Sequence, residues 1–298
     1  MTTPSRPPTE LRHPAARRSC RDCGGDGFVV VREGEWAVSR LCSCVGPCPV
    51  CHGSGLVAVS DAFRAPRKRC ACQAVLHRMR LFDAVGIPGR HADSTVASFV
   101  DGSRHQTAVK QSVWAYAKAF RPGEDNRGLV LYGGVGRGKT HLAVALVREL
   151  VVRMGVTAKF VEFSHLLADL KSGFDSGRGA AELIDPLVEV QVLLIDELGK
   201  GRNTEFEGTV LDELVSRRYN AVRPIVATTN YPPMPASGRA VPSAADVQLG
   251  TAPAPSLVDR VGDRVFSRLR ETCDFVELKG DDFREQRRTR RTPPPSAP

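Results

Sequence analysis

Apolar and polar positions change rhythm several times along the 298 residues. From 73 to 82, and again from 106 to 120, apolar side chains recur at helical spacing. This predicts two helices, with Gly86-Ile87-Pro88-Gly89 breaking the first and an irregular lead-in over 91–100. Residues 128–132, 192–195 and 224–227 are short unbroken apolar runs. Such runs suit strands buried on both faces of a parallel sheet. Helical spacing returns over 139–154 and 257–271, the latter followed by a last predicted strand over 274–279. Nearer the start, 28–31 and 36–41 read as two short strands around Glu33-Gly34. The length leaves room for one α/β domain and a smaller module.

The smaller module is punctuated by cysteine. Residues Cys20, Cys23, Cys42 and Cys44 repeat as Cys48, Cys51, Cys70 and Cys72, each set spaced C-x2-C-x18-C-x-C, with the second displaced by 28 residues. The hairpin predicted in the first copy returns the chain so that Cys42 and Cys44 complete a tetrahedron begun by Cys20 and Cys23. Two structural zinc ions, each held by four thiolates, are the reading this spacing favours over disulfides or an iron–sulfur cluster. Closed sites of this kind fold a module rather than catalyse. Cys273 stands alone and reads as a small buried apolar residue. The pattern Cys-x-x-Cys-x-Gly-x-Gly resembles the zinc boxes of DnaJ-type chaperones, and only the metal chemistry carries over.

Charge changes the picture modestly. The formal net charge is +9; zinc-bound thiolates, at about −2 per site, would lower it to roughly +5. A basic balance favours an anionic partner without proving one. Arg67-Lys68-Arg69, Arg78 and Arg80 surround the helix predicted after the last cysteine ligand, as a solvated face or as a contact to DNA phosphate or a partner. No run of about 18 apolar residues occurs, and no signal peptide is expected, so a cytoplasmic protein without membrane contact is expected.

The strand predicted over 128–132 runs into Gly133-Gly134-Val135-Gly136-Arg137-Gly138-Lys139-Thr140, with His141 next in the helix that follows. This is a phosphate-binding loop. Its glycines let backbone N–H groups converge on phosphate oxygens, and the helix N-terminus adds partial positive charge. Lys139 is expected on the β/γ-phosphates of ATP and Thr140 on Mg²⁺. The apolar run 192–195 ends in Asp196-Glu197, where Asp196 is expected to hold the Mg²⁺ shell and Glu197 to orient and deprotonate the attacking water. A further strand ends in Thr228-Thr229-Asn230; Asn230 reads as a group sensing the γ-phosphate, or as a loop cap. Arg264 and Arg268, four apart on one predicted helix, could offer a guanidinium to a neighbouring subunit's ATP or belong to a basic surface helix.

These phrases, with Gly262-Asp263-Arg264-Val265-Phe266-Ser267-Arg268-Leu269-Arg270 and Gly280-Asp281-Asp282-Phe283-Arg284, resemble the AAA+ ATPases of the DnaC-type replicative helicase loaders and the IstB-type transposition ATPases. The resemblance covers about two thirds of the chain, from about 88 to 284. It implies an AAA+ P-loop NTPase core with a five-stranded parallel sheet and self-association that places ATP between neighbours. On its pattern Arg268 matches the arginine finger, with Arg264 the close alternative, and Arg284 matches the second sensor. The helical lid would be minimal, since about 20 residues follow the last predicted strand. The expected organisation is a disordered start (1–18), a tandem zinc-binding domain (19–82), a linker (83–105), the ATPase domain (106–285, with a flexible insertion over 237–256) and a disordered tail (286–298). The function implied is an ATP-dependent helicase loader that binds single-stranded DNA and a hexameric replicative helicase. The alternatives are an assistant to a DNA transposase and a zinc-domain adaptor with a nucleotide switch.

Overall fold

The computed structural model describes residues 11–60, 64–175, 180–202, 204–235 and 255–283. Arg284, most of the insertion and the tail therefore lie outside the described residues. The chain divides into two compact units. The first comprises residues 1–94 together with 147–158, and the second comprises 95–146 together with 159–298.

In the first unit, β1 (Phe28–Glu33) and β2 (Trp36–Leu41) form an antiparallel hairpin in the register Phe28↔Leu41 to Glu33↔Trp36. The second cysteine copy keeps only β3 (Leu56–Ala58) and β4 (Arg67–Arg69). Helix α1 (Ala71–Asp83) starts on the last cysteine pair, with Cys70 as its N-cap. Two expectations change here. Residues 11–18, expected to be disordered, fold as turns on the first cysteine copy: His13 is buried and its N–H donates to the Asp26 carbonyl at 3.0 Å. Residues 83–94, expected to be linker, pack into the unit instead. Val85 and Ile87 are buried, the Ala37 N–H donates to the Ile87 carbonyl at 2.8 Å, and Trp36 bridges Pro88. In both stretches backbone groups find partners on the first hairpin, which a linear reading cannot anticipate.

The same unit takes in the end of the helix that follows the glycine loop. There α3 (Lys139–Glu149) passes into a π turn, Leu150–Met154, which stops at Gly155 in the left-handed region (φ 75°). Arg148 donates to the Ala92 carbonyl at 2.9 Å and lies over the Phe82 ring at 5.9 Å. Burial lowers its pKa.

The second unit is a five-stranded sheet in the order β6-β7-β8-β5-β9. Its strands are β5 (Gly128–Tyr132), β6 (Ala158–Glu162), β7 (Val192–Asp196), β8 (Ile225–Thr229) and β9 (Cys273–Glu277). The pairings β5–β8, β5–β9 and β7–β8 are parallel, as the apolar runs predict. Every residue of β7 and β8 is buried. Around the sheet stand α2 (Arg104–Ala119), α4 (Phe163–Asp175), α5 (Ala180–Glu189) and α6 (Glu205–Asn220). The expected single helix over 257–271 is two, α7 (Leu257–Val261) and α8 (Asp263–Thr272). Gly262, at φ 80° and ψ 160°, breaks it in a backbone conformation no helix accommodates. The insertion also ends earlier than expected. Ser256 is buried and caps α7, its N–H donating to Asp259 at 2.9 Å.

The sheet unit also buries a whole guanidinium. Arg218 on α6 donates to the carbonyls of Leu187, Val190, Gln191 and Pro224 at 2.6–3.2 Å, tying the α5–β7 turn to the entry of β8. Burial, with Arg223 nearby, brings its pKa down to about 9. Among the described residues no helix is long and apolar enough to cross a membrane.

Candidate functional site

The C-terminal ends of β5, β7 and β8 lie side by side, and the three motifs read in the sequence follow them. The loop after β5 is tight. A Cβ on Gly133 (φ 137°) would stand 2.4 Å from the Leu278 carbonyl oxygen, and one on Gly138 (φ 87°) would stand 2.6 Å from the Phe99 ring. Both positions therefore require glycine twice over, for backbone angle and for space.

Lys139 opens α3 and is buried. Its ammonium donates to the carbonyls of Gly133 (2.9 Å) and Gly134 (2.7 Å) and to Asn230 Oδ1 (2.8 Å). The amide expected to sense phosphate thus touches the expected phosphate-binding cation. The Thr140 hydroxyl donates to Asp196 Oδ1 at 2.8 Å, and Asp196 is fully buried. A hydroxyl and a carboxylate in contact at a helix N-terminus form an all-oxygen donor set suited to a hard cation such as Mg²⁺, so these residues fit the metal that accompanies ATP. Glu197 sits one residue beyond the strand at φ 56°, a conformation side chains other than glycine rarely adopt. It forms an ion pair with Lys200, which raises the lysine pKa.

Several neighbours were not singled out from the sequence. The Thr228 hydroxyl donates to Asp196 Oδ1 at 2.6 Å and accepts from the Glu197 N–H at 3.0 Å, bracing both carboxylate residues. Its signal was the Thr-Thr pair before Asn230; for Lys200 it was the spacing of three from Glu197. The other neighbours gave no local signal. His141, read as part of the nucleotide loop, turns towards the lead-in, 2.9 Å from the Thr95 carbonyl and 3.2 Å from Ser98 Oγ. Burial lowers its pKa. Phe283 donates its N–H to the Gly136 carbonyl at 3.1 Å, and a Cβ on Gly136 would collide with the Asp282 carboxylate. Arg137 reaches the Leu278 carbonyl at 3.3 Å, while Val135 at the loop tip is exposed. Arg268 is not at this centre in its own chain: it donates to Asp212 on α6 at 2.8 Å, while Arg264 is exposed.

In the first unit the eight expected ligands gather as two quartets, in each of which all sulfurs lie within 4.8 Å of one another. Cys20–Cys42 and Cys23–Cys44 are both 3.7 Å apart, Cys48–Cys70 is 3.7 Å and Cys51–Cys72 is 3.6 Å. Disulfides need about 2.05 Å, whereas four sulfurs at ~2.3 Å from one tetrahedral zinc ion stand about 3.8 Å apart. The quartets fit zinc.

Comparison with known proteins places this arrangement. The family described as IstB-like ATP binding protein matches residues 104–291, well over half of the chain. The chain belongs to the IstB-like ATP-binding family. Within curated proteins it is 27% identical over 153 residues to the replicative helicase loader DnaC of Escherichia coli, covering 51% of this chain and 61% of that one. It is 29% identical over 164 residues to a Mycobacterium tuberculosis protein described as ATP-binding in an insertion sequence, covering 55% and 58%. The match thus spans about three fifths of the length of these relatives. A crystal structure of the DnaC helicase loader superposes with a TM-score of 0.52 at 23% identity, covering 64% of this chain and 99% of that one. The likeness supports the AAA+ fold. As an IstB-like protein the chain is an ATP-binding protein, with its matched segment carrying the loop, Asp196, Glu197 and Asn230.

Proposed function

We propose that the chain is an ATP-hydrolysing helicase loader that acts in the cytoplasm. The carrying observation is that residues from three strand ends converge: Lys139 on Asn230 and Thr140 on Asp196, both at 2.8 Å. In this reading the Lys139 ammonium exchanges loop carbonyls for β/γ-phosphate oxygens. Thr140 and Asp196 hold Mg²⁺, which supplies charge neutralisation on the phosphates. Glu197, released from Lys200, orients water and takes its proton, while Asn230 reports the γ-phosphate. Arg268 or Arg264 serves as the finger on a neighbouring copy's nucleotide, and Arg284 is the second sensor. The ATPase unit binds single-stranded DNA, and the zinc unit grips a hexameric replicative helicase.

Lys139→Ala removes the cation that supplies two or three charge-assisted hydrogen bonds. A loss of about 3 kcal/mol, roughly 100-fold in ATP affinity, is expected by fluorescent-nucleotide titration. Undiminished affinity would end the reading of the loop. Pull-down of the hexameric helicase with and without ATP tests the loader reading, and failure to retain helicase under both conditions ends it. A second reading, an ATPase assisting a DNA transposase, is favoured by the family match and the insertion-sequence relative. It predicts ATP-dependent retention on duplex DNA in place of helicase capture.

A further inference from the structure

The two cysteine copies share ligand spacing but not charge. From Cys20 to Cys44 there are three arginines and four carboxylates; from Cys48 to Cys72 there are four arginines and lysines and one aspartate. Among the described residues, three of the first copy's seven charges are engaged in ion pairs. Arg40 pairs with Glu33, and Asp26 with Arg153 at 3.8 Å. In the second copy Arg67, Lys68 and Arg69 form an exposed strand, and among the described residues no ion pair involves them or Arg80.

The hairpin register sorts these cations. Lys68 faces Val57, which packs on the sulfur cluster, so Arg67 and Arg69 point to the other face with Ala58 and Leu56. Helix α1 is sorted in the same way. Val75 and Phe82 are buried and Arg78 is packed against Gly155, whereas Gln73, His77 and Arg80, at i, i+4 and i+7, share another face. Between that helix face and Arg69 lies a cleft of about 300 Å³, lined by Arg69, Gln73, His77, Arg80 and the Ser54–Leu56 turn. No carboxylate and no Phe, Tyr or Trp ring lines it.

We infer that this cleft is a second nucleic-acid contact, taking the phosphodiester backbone of a single strand. Two guanidinium forks lining one cleft, those of Arg69 and Arg80, suit bidentate contact with phosphate oxygens. Arg67, about 6.6 Å further along the strand, continues the track. With no Phe, Tyr or Trp platform and no fixed carboxylate, the cleft would read backbone charge rather than base identity. An acidic protein segment is the competing occupant. The inference is independent of the ATPase reading, because it concerns the first unit and requires no nucleotide.

The test uses the full zinc-loaded chain without nucleotide and a fluorescein-labelled thymidine oligonucleotide, read by anisotropy over a salt series. Each cation removed from a single-strand contact lowers the slope of log K against log salt by about 0.7. Arg69→Glu/Arg80→Glu should therefore flatten it by roughly 1.4 and weaken binding at least tenfold at low salt, with zinc content and unfolding temperature as in the parent chain. Arg69→Lys/Arg80→Lys, which keeps charge but loses the forks, should keep the slope and lose part of the affinity. Unchanged slope and affinity in the folded Glu variant would overturn the inference. So would loss of retention on immobilised polyglutamate while oligonucleotide binding persists, since the cleft would then serve an acidic protein. ATP titration of the same variants remains the separate criterion for the nucleotide site.

Discussion

The two units are held together by different materials. Around the second cysteine copy the buried cluster is four cysteines, with Val57 packed against it among the described residues. In the sheet unit a continuous cluster of Leu, Ile, Val and Phe side chains runs from β7 through α6 to α8. A small module with little apolar surface around its sulfurs would draw folding energy from bound metal, whereas the sheet unit draws on a continuous apolar core. If the quartets hold zinc, one chain contains a fold conditional on an ion and a fold conditional on its own side chains. Function divides along the same line: in the proposed reading sulfur builds a scaffold that does no chemistry, while the chemistry gathers where buried strands end.

The largest effect should come from stripping metal. Zinc binding at such sites is worth ~10–16 kcal/mol, so chelation should unfold the cysteine region outright. Hydrogen exchange should then rise over 20–72, while 128–132 and 192–196 stay protected and ATP still binds. Loss of protection in both would break the comparison. Next is Glu197→Gln, which is expected to cut turnover by ~10²–10⁴-fold with ATP affinity retained; single-turnover hydrolysis is the measure, and an unchanged rate removes Glu197 from the chemistry. Smaller still, Leu193→Ala opens a cavity at a fully buried strand position. A cost of about 2–5 kcal/mol in the sheet unit's unfolding transition is expected, with zinc content unaltered. Calorimetry on the zinc-loaded chain separates the two.

How far the sequence foretold this depends on how local each cause is. The strand expected over 128–132 coincides with β5, and that over 192–195 falls one residue short of β7, because strands buried on both faces leave continuous apolar runs. The cysteine quartets were legible because duplication repeats their spacing. The break at Gly262 was missed, since helical periodicity runs across it and one residue's φ decides it. Arg218 reads as one more surface arginine of α6, and only the carbonyls of distant turns reveal its burial. At the site Lys139, Thr140, Asp196 and Asn230 were legible from motif chemistry. The brace from Thr228 and the covering of Gly136 by Asp282 arise from chain crossings that no linear pattern encodes.

The helix that begins at Lys139 starts in one unit and ends in the other, with Val147–Ala158 counted among the sulfur-bearing residues. The first unit is consequently built from two separate stretches of chain. Severing the chain after Ser94 would leave Phe82 and Ala92 without the guanidinium of Arg148, so the amino-terminal piece is discontinuous in the gene although compact in space.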